Sequence, residues 1–325
     1  MASLTYLEAI RQALAEEMQR DERVILLGED IGAYGGAFGA TRGLIERFGE
    51  QRVIDTPVSE SAIVGAGIGA AMMGLRPVVE LQYIDFISCA FDQLVNCAAK
   101  MRYRSGLGVP LVVRGPCGAG LHAGPFHSQH PEGMLLNVAG LKIVAPATPT
   151  DAKGLLTAAM RDPDPVIVLE HKLLYRSLRD DVPVGECVVP IGKARVARRG
   201  KHLTLVTYAA MVHVGLEAAA IVAAQDGIET EVLDLRSLAP LDEASILASV
   251  ARTGKLLILH EASRTGGAGA EIAALAAERA FEYLDAPVVR VAAPDTPVPL
   301  APPLEEFYLP NAERTVKAIR ALHAY

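Results

Sequence analysis

The sequence predicts an α/β protein made of two doubly wound domains. Short runs of aliphatic and β-branched residues, each bounded by glycine or proline, alternate with helical patterns along the chain. Fully buried parallel strands have this character, because helices cover both faces of their sheet. The alternation weakens over 178–197 and then restarts, which predicts domains at 1–185 and 186–325.

The first half predicts a parallel sheet with helices between its strands. The predicted strands are 24–28, 53–55, 76–81, 110–114, 141–145 and 165–170, and the predicted helices are 59–74, 86–104 and 151–161. We expect Thr150 or Asp151 to be the N-cap of the last helix, because short polar side chains favour that position.

The second half repeats the alternation. Its predicted strands are 203–208, 231–234, 255–260 and 288–291, and its predicted helices are 212–225, 242–252, 268–283 and 311–324. Both halves therefore fit layered α/β architecture.

Composition narrows the functional classes. The 325 residues carry a formal net charge of −7 and no tryptophan, which argues against a nucleic-acid partner. No apolar run reaches membrane-spanning length, and the first twenty residues form a polar-faced helical pattern rather than a signal peptide. The four cysteines have no metal-ligand spacing, so we expect a cytoplasmic protein without a membrane association.

Glu60 is the most informative single residue. It follows a strand-like segment and opens a helix whose glycines are Gly65, Gly67 and Gly69. One interpretation is an acid that complements the helix dipole, worth about 0.3–1 kcal/mol. The other is a partly buried acid–base group, which the apolar flanks favour. The glycines do not form a strand-to-helix nucleotide loop, and close approach of another helix or subunit would explain them.

Three further segments carry candidate groups. His127 and His130 follow a glycine-rich loop, where a histidine suits proton transfer near neutral pH or simply faces water; a zinc site lacks a third ligand. The segment 80–86 ends a strand, where α/β folds bind ligands. Asp162 and Asp164 follow a predicted helix end, whose free carbonyls and acids form either a plain turn or a cation site.

Together these segments resemble the β subunits of thiamine-diphosphate-dependent 2-oxoacid dehydrogenases, the group that includes pyruvate, branched-chain and acetoin dehydrogenases. The resemblance covers essentially the whole chain. The matching segments are Leu27–Asp30, Arg52–Glu60, Gly74–Pro77, Phe91–Gln93, Lys100–Gly106, His127–Gln129, Asp151–Gly154 and Leu233–Arg236.

The resemblance implies a fold and a shared cofactor site. It implies a thiamine-diphosphate pyrimidine-binding fold followed by a transketolase C-terminal-like domain. It also implies an α2β2 heterotetramer whose α subunit holds Mg²⁺ and the diphosphate through a Gly-Asp-Gly motif. This chain lacks that motif, since Gln225-Asp226-Gly227 has no first glycine.

Roles for individual residues follow from the same resemblance. Glu60 would contact the aminopyrimidine ring and favour the tautomer that activates the cofactor, with Val58, Gln82 and Phe86 lining its pocket. His127 would assist transfer of the acyl group to lipoyl groups of an acyltransferase core. A weaker match implies a K⁺ site at Leu111, Ala159, Met160, Asp162 and Asp164.

The implied reaction is oxidative decarboxylation of a small 2-oxoacid, pyruvate or a branched-chain acid. The loop 118–126 and the segment 80–86 depart from individual subgroups, so the substrate stays open. Alternatives are an acetoin dehydrogenase β subunit, a transketolase-like half-protein, for which a phosphosugar-binding basic cluster is missing, and a non-catalytic α/β assembly subunit.

Overall fold

A computed structural model describes all 325 residues and divides the chain into two compact units. The first unit comprises Met1–Cys117 and Leu135–Ile191, and the second comprises Gly118–Met134 and Gly192–Tyr325. The chain passes from the first unit to the second after Ile191, within residues 178–197, where the alternation of predicted strands and helices weakens. The segment Gly118–Met134 belongs to the second unit although the first half of the sequence surrounds it, which the sequence pattern did not indicate.

The first unit contains a parallel sheet in which β6, β7, β5, β4, β2 and β3 follow one another. A separate antiparallel pair joins β1 and β8. The strands are β1 Ala2–Thr5, β2 Val24–Gly28, β3 Val53–Asp55, β4 Arg76–Glu80, β5 Val112–Cys117, β6 Lys142–Val144, β7 Val166–His171 and β8 Arg179–Val182. The helices of this unit are α1 Tyr6–Arg20, α2 Leu44–Phe48, α3 Glu60–Met72, α4 Ala99–Ser105, α6 Pro149–Arg161 and α7 Leu174–Ser177. The short helix α5 Glu132–Leu135 begins in the segment of the second unit and ends at the first residue that returns to this one.

The second unit has a mixed sheet. Its order is β14-β13-β10-β11-β9, in which β9 alone runs antiparallel to its neighbour. Its strands are β9 Arg195–Arg198, β10 Leu203–Thr207, β11 Thr230–Asp234, β13 Leu256–Ser263 and β14 Val289–Ala293. The short strand β12 Ser237–Ala239 is not part of this sheet. The helices are α8 Met211–Asp226, α9 Glu243–Thr253, α10 Ala268–Arg279, α11 Pro302–Tyr308 and α12 Ala312–His323.

Fully buried strands confirm the buried parallel sheets that the aliphatic runs predicted. Every residue of β2, β5, β7, β10 and β11 is buried. No helix combines the length and the apolar character needed to cross a membrane.

Two helical predictions were wrong in detail. Thr148, rather than Thr150 or Asp151, caps α6, because its hydroxyl accepts the Asp151 N–H at 3.1 Å and Pro149 begins the first turn. The single helix predicted over 86–104 is divided into a 3₁₀ helix Ile84–Ala90, a π-helix Gln93–Ala98 and then α4. Apolar spacing over so short a segment does not distinguish these forms, whose hydrogen bonds differ by one residue in reach.

Candidate active site

Three adjacent strands of the first unit end at one edge of the sheet. Strand β2 lies between β3 and β4, and Gly28 is in register with both Asp55 and Glu80. The segments that leave these strands therefore start side by side. Such a carboxyl edge is where α/β sheets place ligand-binding groups.

Two hydrogen bonds hold the segment that follows β2 against the end of β3 and the segment that follows it. The Gly32 N–H donates to Asp55 Oδ1 at 2.6 Å, and the Thr56 N–H donates to the Gly28 carbonyl at 3.0 Å. A Cβ at residue 32 would lie 2.4 Å from Asp55 Oδ2, so only glycine fits there. This contact holds the loop after β2 against the segment that leads to Glu60.

Glu60 is the first residue of α3 and is half-buried, as its apolar flanks predicted. Ser59 occupies the N-cap position, but its hydroxyl makes no cap hydrogen bond. Val58, just before it, exposes 79% of its surface although it is apolar. The start of α3 thus presents an acid and an aliphatic side chain that the chain itself does not cover.

Glu29 is a second acid at this edge, and sequence reasoning assigned it no role. It is buried, accepts a hydrogen bond from the Ser59 backbone N–H, and has a buried Oε1 atom without a hydrogen-bond partner. Burial raises the pKa of Glu29, and the nearby Glu60 and Asp30 charges raise it further. Its position directly after the buried strand β2 was the signal that was available in the sequence.

The other two predicted pocket residues follow β4. Gln82 lies just beyond the end of the strand and Phe86 lies in the 3₁₀ helix, and both are half-buried. Val58, Glu60, Gln82 and Phe86 therefore all belong to segments that leave this edge. Their roles toward a ligand stay predictions.

A buried ion-pair cluster supports the same sheet. Arg114 on β5 donates to Glu170 on β7 through Nε and Nη2, both at 2.6 Å, and pairs with Glu80 on β4. The Tyr175 hydroxyl completes the cluster by donating to Glu170 at 2.7 Å. Two acids around one guanidinium leave its pKa well above the ordinary value. The cluster joins three neighbouring strands and is sequestered from solvent.

The glycines of α3 have different causes. A Cβ at Gly67 would come within 2.8 Å of Val79 Cγ2, so packing on the sheet of the same unit requires glycine there. Gly69 has nothing within 4 Å of such a Cβ and is exposed, as are Ala62 and Ala66. The predicted contact with another helix or subunit is therefore not needed to explain Gly67. The exposed face formed by Ala62, Ala66 and Gly69 is compatible with close approach of another helix.

His127 lies in the segment Gly118–Met134 of the second unit and is half-buried. Two buried acids, Glu261 and Glu305, hold this loop. The Ala119 N–H donates to Glu261 at 2.6 Å, and the Gly120 and His122 N–H groups each donate to Glu305 at 3.1 Å. Sequence reasoning missed both acids, because they are more than 140 residues away from the loop along the chain.

His130, three residues further on, has a structural environment. Its Nδ1 lies 2.6 Å from Glu132 Oε2, and the Tyr208 hydroxyl donates to Glu132 Oε1 at 2.5 Å. These donors hold the pKa of Glu132 below its usual range in spite of burial. No group of three or more His, Cys, Asp or Glu side chains has an arrangement that would hold a metal ion.

The residues named for a K⁺ site are engaged by protein cations. Arg76 donates to the Met160 carbonyl at 2.8 Å and to the Asp162 carbonyl at 3.3 Å. The Asp162 carboxylate binds Lys142 at 2.7 and 2.8 Å, and Asp164 pairs with Arg102. The Ala159 and Leu111 carbonyls accept the N–H groups of Asp162 and Val166. These groups do not form an open cation site here, and the potassium site stays a prediction.

Comparison with known proteins gives the class and then the family. The transketolase pyrimidine-binding domain model matches residues 2–177 and the transketolase C-terminal domain model matches 192–315. The chain is thus a two-domain α/β protein of the transketolase type, which confirms the predicted fold class. It is 48% identical over 325 residues to the 2-oxoisovalerate dehydrogenase subunit beta of Bacillus subtilis, covering 99% of each chain. The chain belongs to the family of 2-oxoacid dehydrogenase β subunits.

Other relatives have similar identities. The pyruvate dehydrogenase E1 component subunit beta of Bacillus subtilis is 45% identical over 322 residues, with 98% of each chain covered. The acetoin:2,6-dichlorophenolindophenol oxidoreductase subunit beta of Cupriavidus necator is 47% identical, with 96% of this chain and 95% of the relative covered. A solved structure described as "Split gene transketolase, inactive beta4 tetramer" matches with a TM-score of 0.81 over 99% of both chains, and at 22% identity it shows the fold alone.

Proposed function

We propose that this chain supplies the pyrimidine side of a thiamine diphosphate site in a 2-oxoacid dehydrogenase. It would act with an α subunit, in an α2β2 heterotetramer, that holds Mg²⁺ and the diphosphate. The observation that carries the proposal is the pair of acids Glu29 and Glu60 at the carboxyl edge of the first unit.

The residues at this edge fit an aminopyrimidine ring. The buried, unpartnered Oε1 of Glu29 and the half-buried Glu60 offer acceptors or shared protons to ring nitrogens. Val58 and Phe86 offer apolar surface, and Gln82 offers an amide. A ligand or another chain that covered Val58 would bury apolar surface that the chain leaves exposed.

In this proposal the residues of this chain hold and transfer protons, while the cofactor carries the bond-breaking chemistry. When bound, thiamine diphosphate supplies the electron sink for loss of CO2 from a 2-oxoacid. Glu60 would hold a proton against the ring nitrogen. Burial raises the pKa of Glu29, so this acid binds a proton more readily than an exposed glutamate and would then limit the negative charge beside Glu60.

Transfer of the acyl group involves the second unit in this proposal. His127 would donate a proton as a lipoyl group of an acyltransferase core accepts the acyl group. Its loop is fixed by Glu261 and Glu305, which supports a positioned rather than a freely moving histidine. We place the enzyme in the cytoplasm, where a lipoyl-bearing core would be its partner.

The relatives support two candidate substrates, a 2-oxoacid and acetoin. Relatives named for 2-oxoisovalerate and pyruvate favour a 2-oxoacid. The relative named for acetoin, at 47% identity, supports acetoin as the second candidate. An assay of the α/β complex with each of the three substrates separates them by their kcat/KM values.

Substitution of Glu60 tests the site itself. We expect Glu60→Gln, in complex with the α subunit, to lower turnover by about 10²–10⁴-fold while the complex still assembles. Glu243 is a matched control, because it is also the first residue of a helix, α9, and Glu243→Gln removes the same charge. If Glu60 only complemented a helix dipole, the two variants would have equal activity and the catalytic proposal would fail.

A further inference from the structure

A cavity in the first unit gathers three arginine side chains. It has a volume of about 350 Å³ and lies among α1, the loop that follows β2, and α7. Arg11, Arg42 and Arg176 line it, together with Leu7 and Phe38. The transketolase-type site at the carboxyl edge uses none of these residues.

None of the three guanidinium groups forms a close ion pair, although the Glu8 charge acts on Arg11 at longer range. Arg11 donates through Nη2 to the Gly39 carbonyl at 2.5 Å, while its Nε is buried and has no hydrogen-bond partner. Arg176 reaches only the Phe38 carbonyl, at 3.5 Å. Arg42 is exposed, and forms no ion pair or hydrogen bond within the chain. Arg42 and Arg176 are exposed, so water can hydrate their remaining donors, whereas the buried Nε of Arg11 is the donor that the chain leaves unsatisfied.

The single acid in the cavity is already engaged. Glu8 accepts from the Thr5 N–H at 2.7 Å and from its hydroxyl at 2.9 Å, which completes the capping box of α1. It also pairs with Arg179, at 3.5 Å, which does not line the cavity, and its charge acts on Arg11 at longer range. Three arginines and one engaged acid leave a local excess of positive charge in a chain whose net charge is −7.

The like charges repel one another. Burial and the neighbouring Arg42 charge lower the pKa of Arg11, and the Glu8 charge opposes them only in part. An anion bound among the three side chains would remove this repulsion and satisfy the buried Nε of Arg11. Guanidinium forks converging from three segments match a tetrahedral oxyanion, which has acceptor oxygens in several directions, better than a planar carboxylate.

We propose that this cavity binds the phosphoryl group of a small phosphate monoester. The volume exceeds that of a phosphate group, so the organic part would lie along Leu7 and the half-buried Phe38. Such a site is separate from the cofactor site and would make the assembled enzyme responsive to a phosphorylated metabolite.

Binding to the assembled α/β protein tests the proposal. The probes are inorganic phosphate and glycerol phosphate, each followed by the shift in the thermal unfolding midpoint and by ³¹P line broadening. Arg42→Gln should weaken binding of both probes by about tenfold or more, because it removes one charged fork that the fold does not use. Arg199→Gln, which removes an exposed arginine of the second unit, should leave binding unchanged.

Each other result would overturn the proposal. Absence of binding to the assembled protein, with binding to the isolated chain, would mean that an acidic surface of the partner subunit fills the cavity. An equal loss of phosphate binding in Arg42→Gln and Arg199→Gln would mean that the probes respond to the overall positive charge rather than to this cavity. Turnover at saturating substrate is recorded separately, so failure here is distinguishable from failure of the proposed catalytic site.

Discussion

The two units bury their acids in opposite ways. In the second unit, Glu132 is enclosed by the His130 ring and the Tyr208 hydroxyl, and its pKa is lowered. In the first unit, Glu29 has one backbone donor, an unpartnered oxygen and a like charge nearby, and its pKa is raised. A satisfied acid stabilises a fold, whereas an unsatisfied one is retained at a cost in stability and so indicates a site.

The difference is local rather than a property of the first unit. The same sheet contains Arg114 between Glu80 and Glu170, where both acids have a charged partner. Glu29, by contrast, has no charged partner where β2 leaves the sheet beside Glu60. The following predictions test this contrast. The first concerns the satisfied cluster of Glu132, His130, Tyr208 and the neighbouring His260, and the second concerns the unsatisfied pair Glu29 and Glu60.

The largest expected effect concerns His260, which stacks on Tyr208 in the satisfied cluster. Burial lowers the pKa of His260 to about 4, the His130 and Arg290 charges lower it too, and Glu132 opposes them. An unfolded histidine titrates near 6.5, so the unfolded chain binds more protons between these values. Stability is fully present above pH 6.5 and is lost as the pH falls toward 4, by about 3 kcal/mol.

Thermal unfolding of the His260→Gln variant between pH 4.5 and 7.5 measures this loss. We expect a much flatter dependence on pH than in the parent chain. His213→Gln, a half-buried histidine of α8, is the control and should keep the parent's slope. Identical slopes in all three proteins would show that His260 does not titrate in this range.

A smaller effect is expected for Glu29→Gln in the unsatisfied pair. Removal of the second acid should reduce turnover by about tenfold, which is about 1.4 kcal/mol, because an amide cannot exchange a proton beside Glu60. Stability should change in the other direction. Because the folded-state pKa of Glu29 is raised, the acid costs stability as the pH rises above its unfolded value, so the variant should melt at or above the parent's midpoint at neutral pH.

The turnover and the melting midpoint of the same Glu29→Gln preparation provide the check. Glu132→Gln is the matched comparison, since it removes an acid that has donors and should lower the midpoint. Lower stability in both variants would remove the distinction between the two kinds of buried acid.

Much of the architecture was predictable from local pattern. The aliphatic runs predicted the central strands, because a buried parallel strand needs apolar residues on both faces. The family resemblance, carried by segments such as Arg52–Glu60 and His127–Gln129, is confirmed by the relatives. The domain limits at 1–185 and 186–325 stay a prediction, and no local signal indicated that Gly118–Met134 belongs to the second unit.

The part of the site that was missed depends on distant contacts. The interaction of Glu29 with Glu60 depends on the fold, and the fixing of the His127 loop depends on Glu305, which is nearly two hundred residues away. Neither acid has a distinctive spacing from its partner. Apolar periodicity also did not reveal the change from 3₁₀ to π to α geometry between Ile84 and Ser105, because the three forms bury similar positions over a few turns.

The smallest expected effect compares the starts of helices. Thr5 caps α1 and Asn311 caps α12, each accepting a backbone N–H of the first turn at 3.2 and 3.0 Å, whereas Ser59 makes no such bond at α3. Thr5→Ala and Asn311→Ala should each cost about 1 kcal/mol of stability, and Ser59→Ala should cost close to zero. Urea unfolding midpoints of the three variants measure this. A full cap penalty for Ser59→Ala would mean that the Ser59 hydroxyl does cap α3 and that the start of this helix is an ordinary structural helix end.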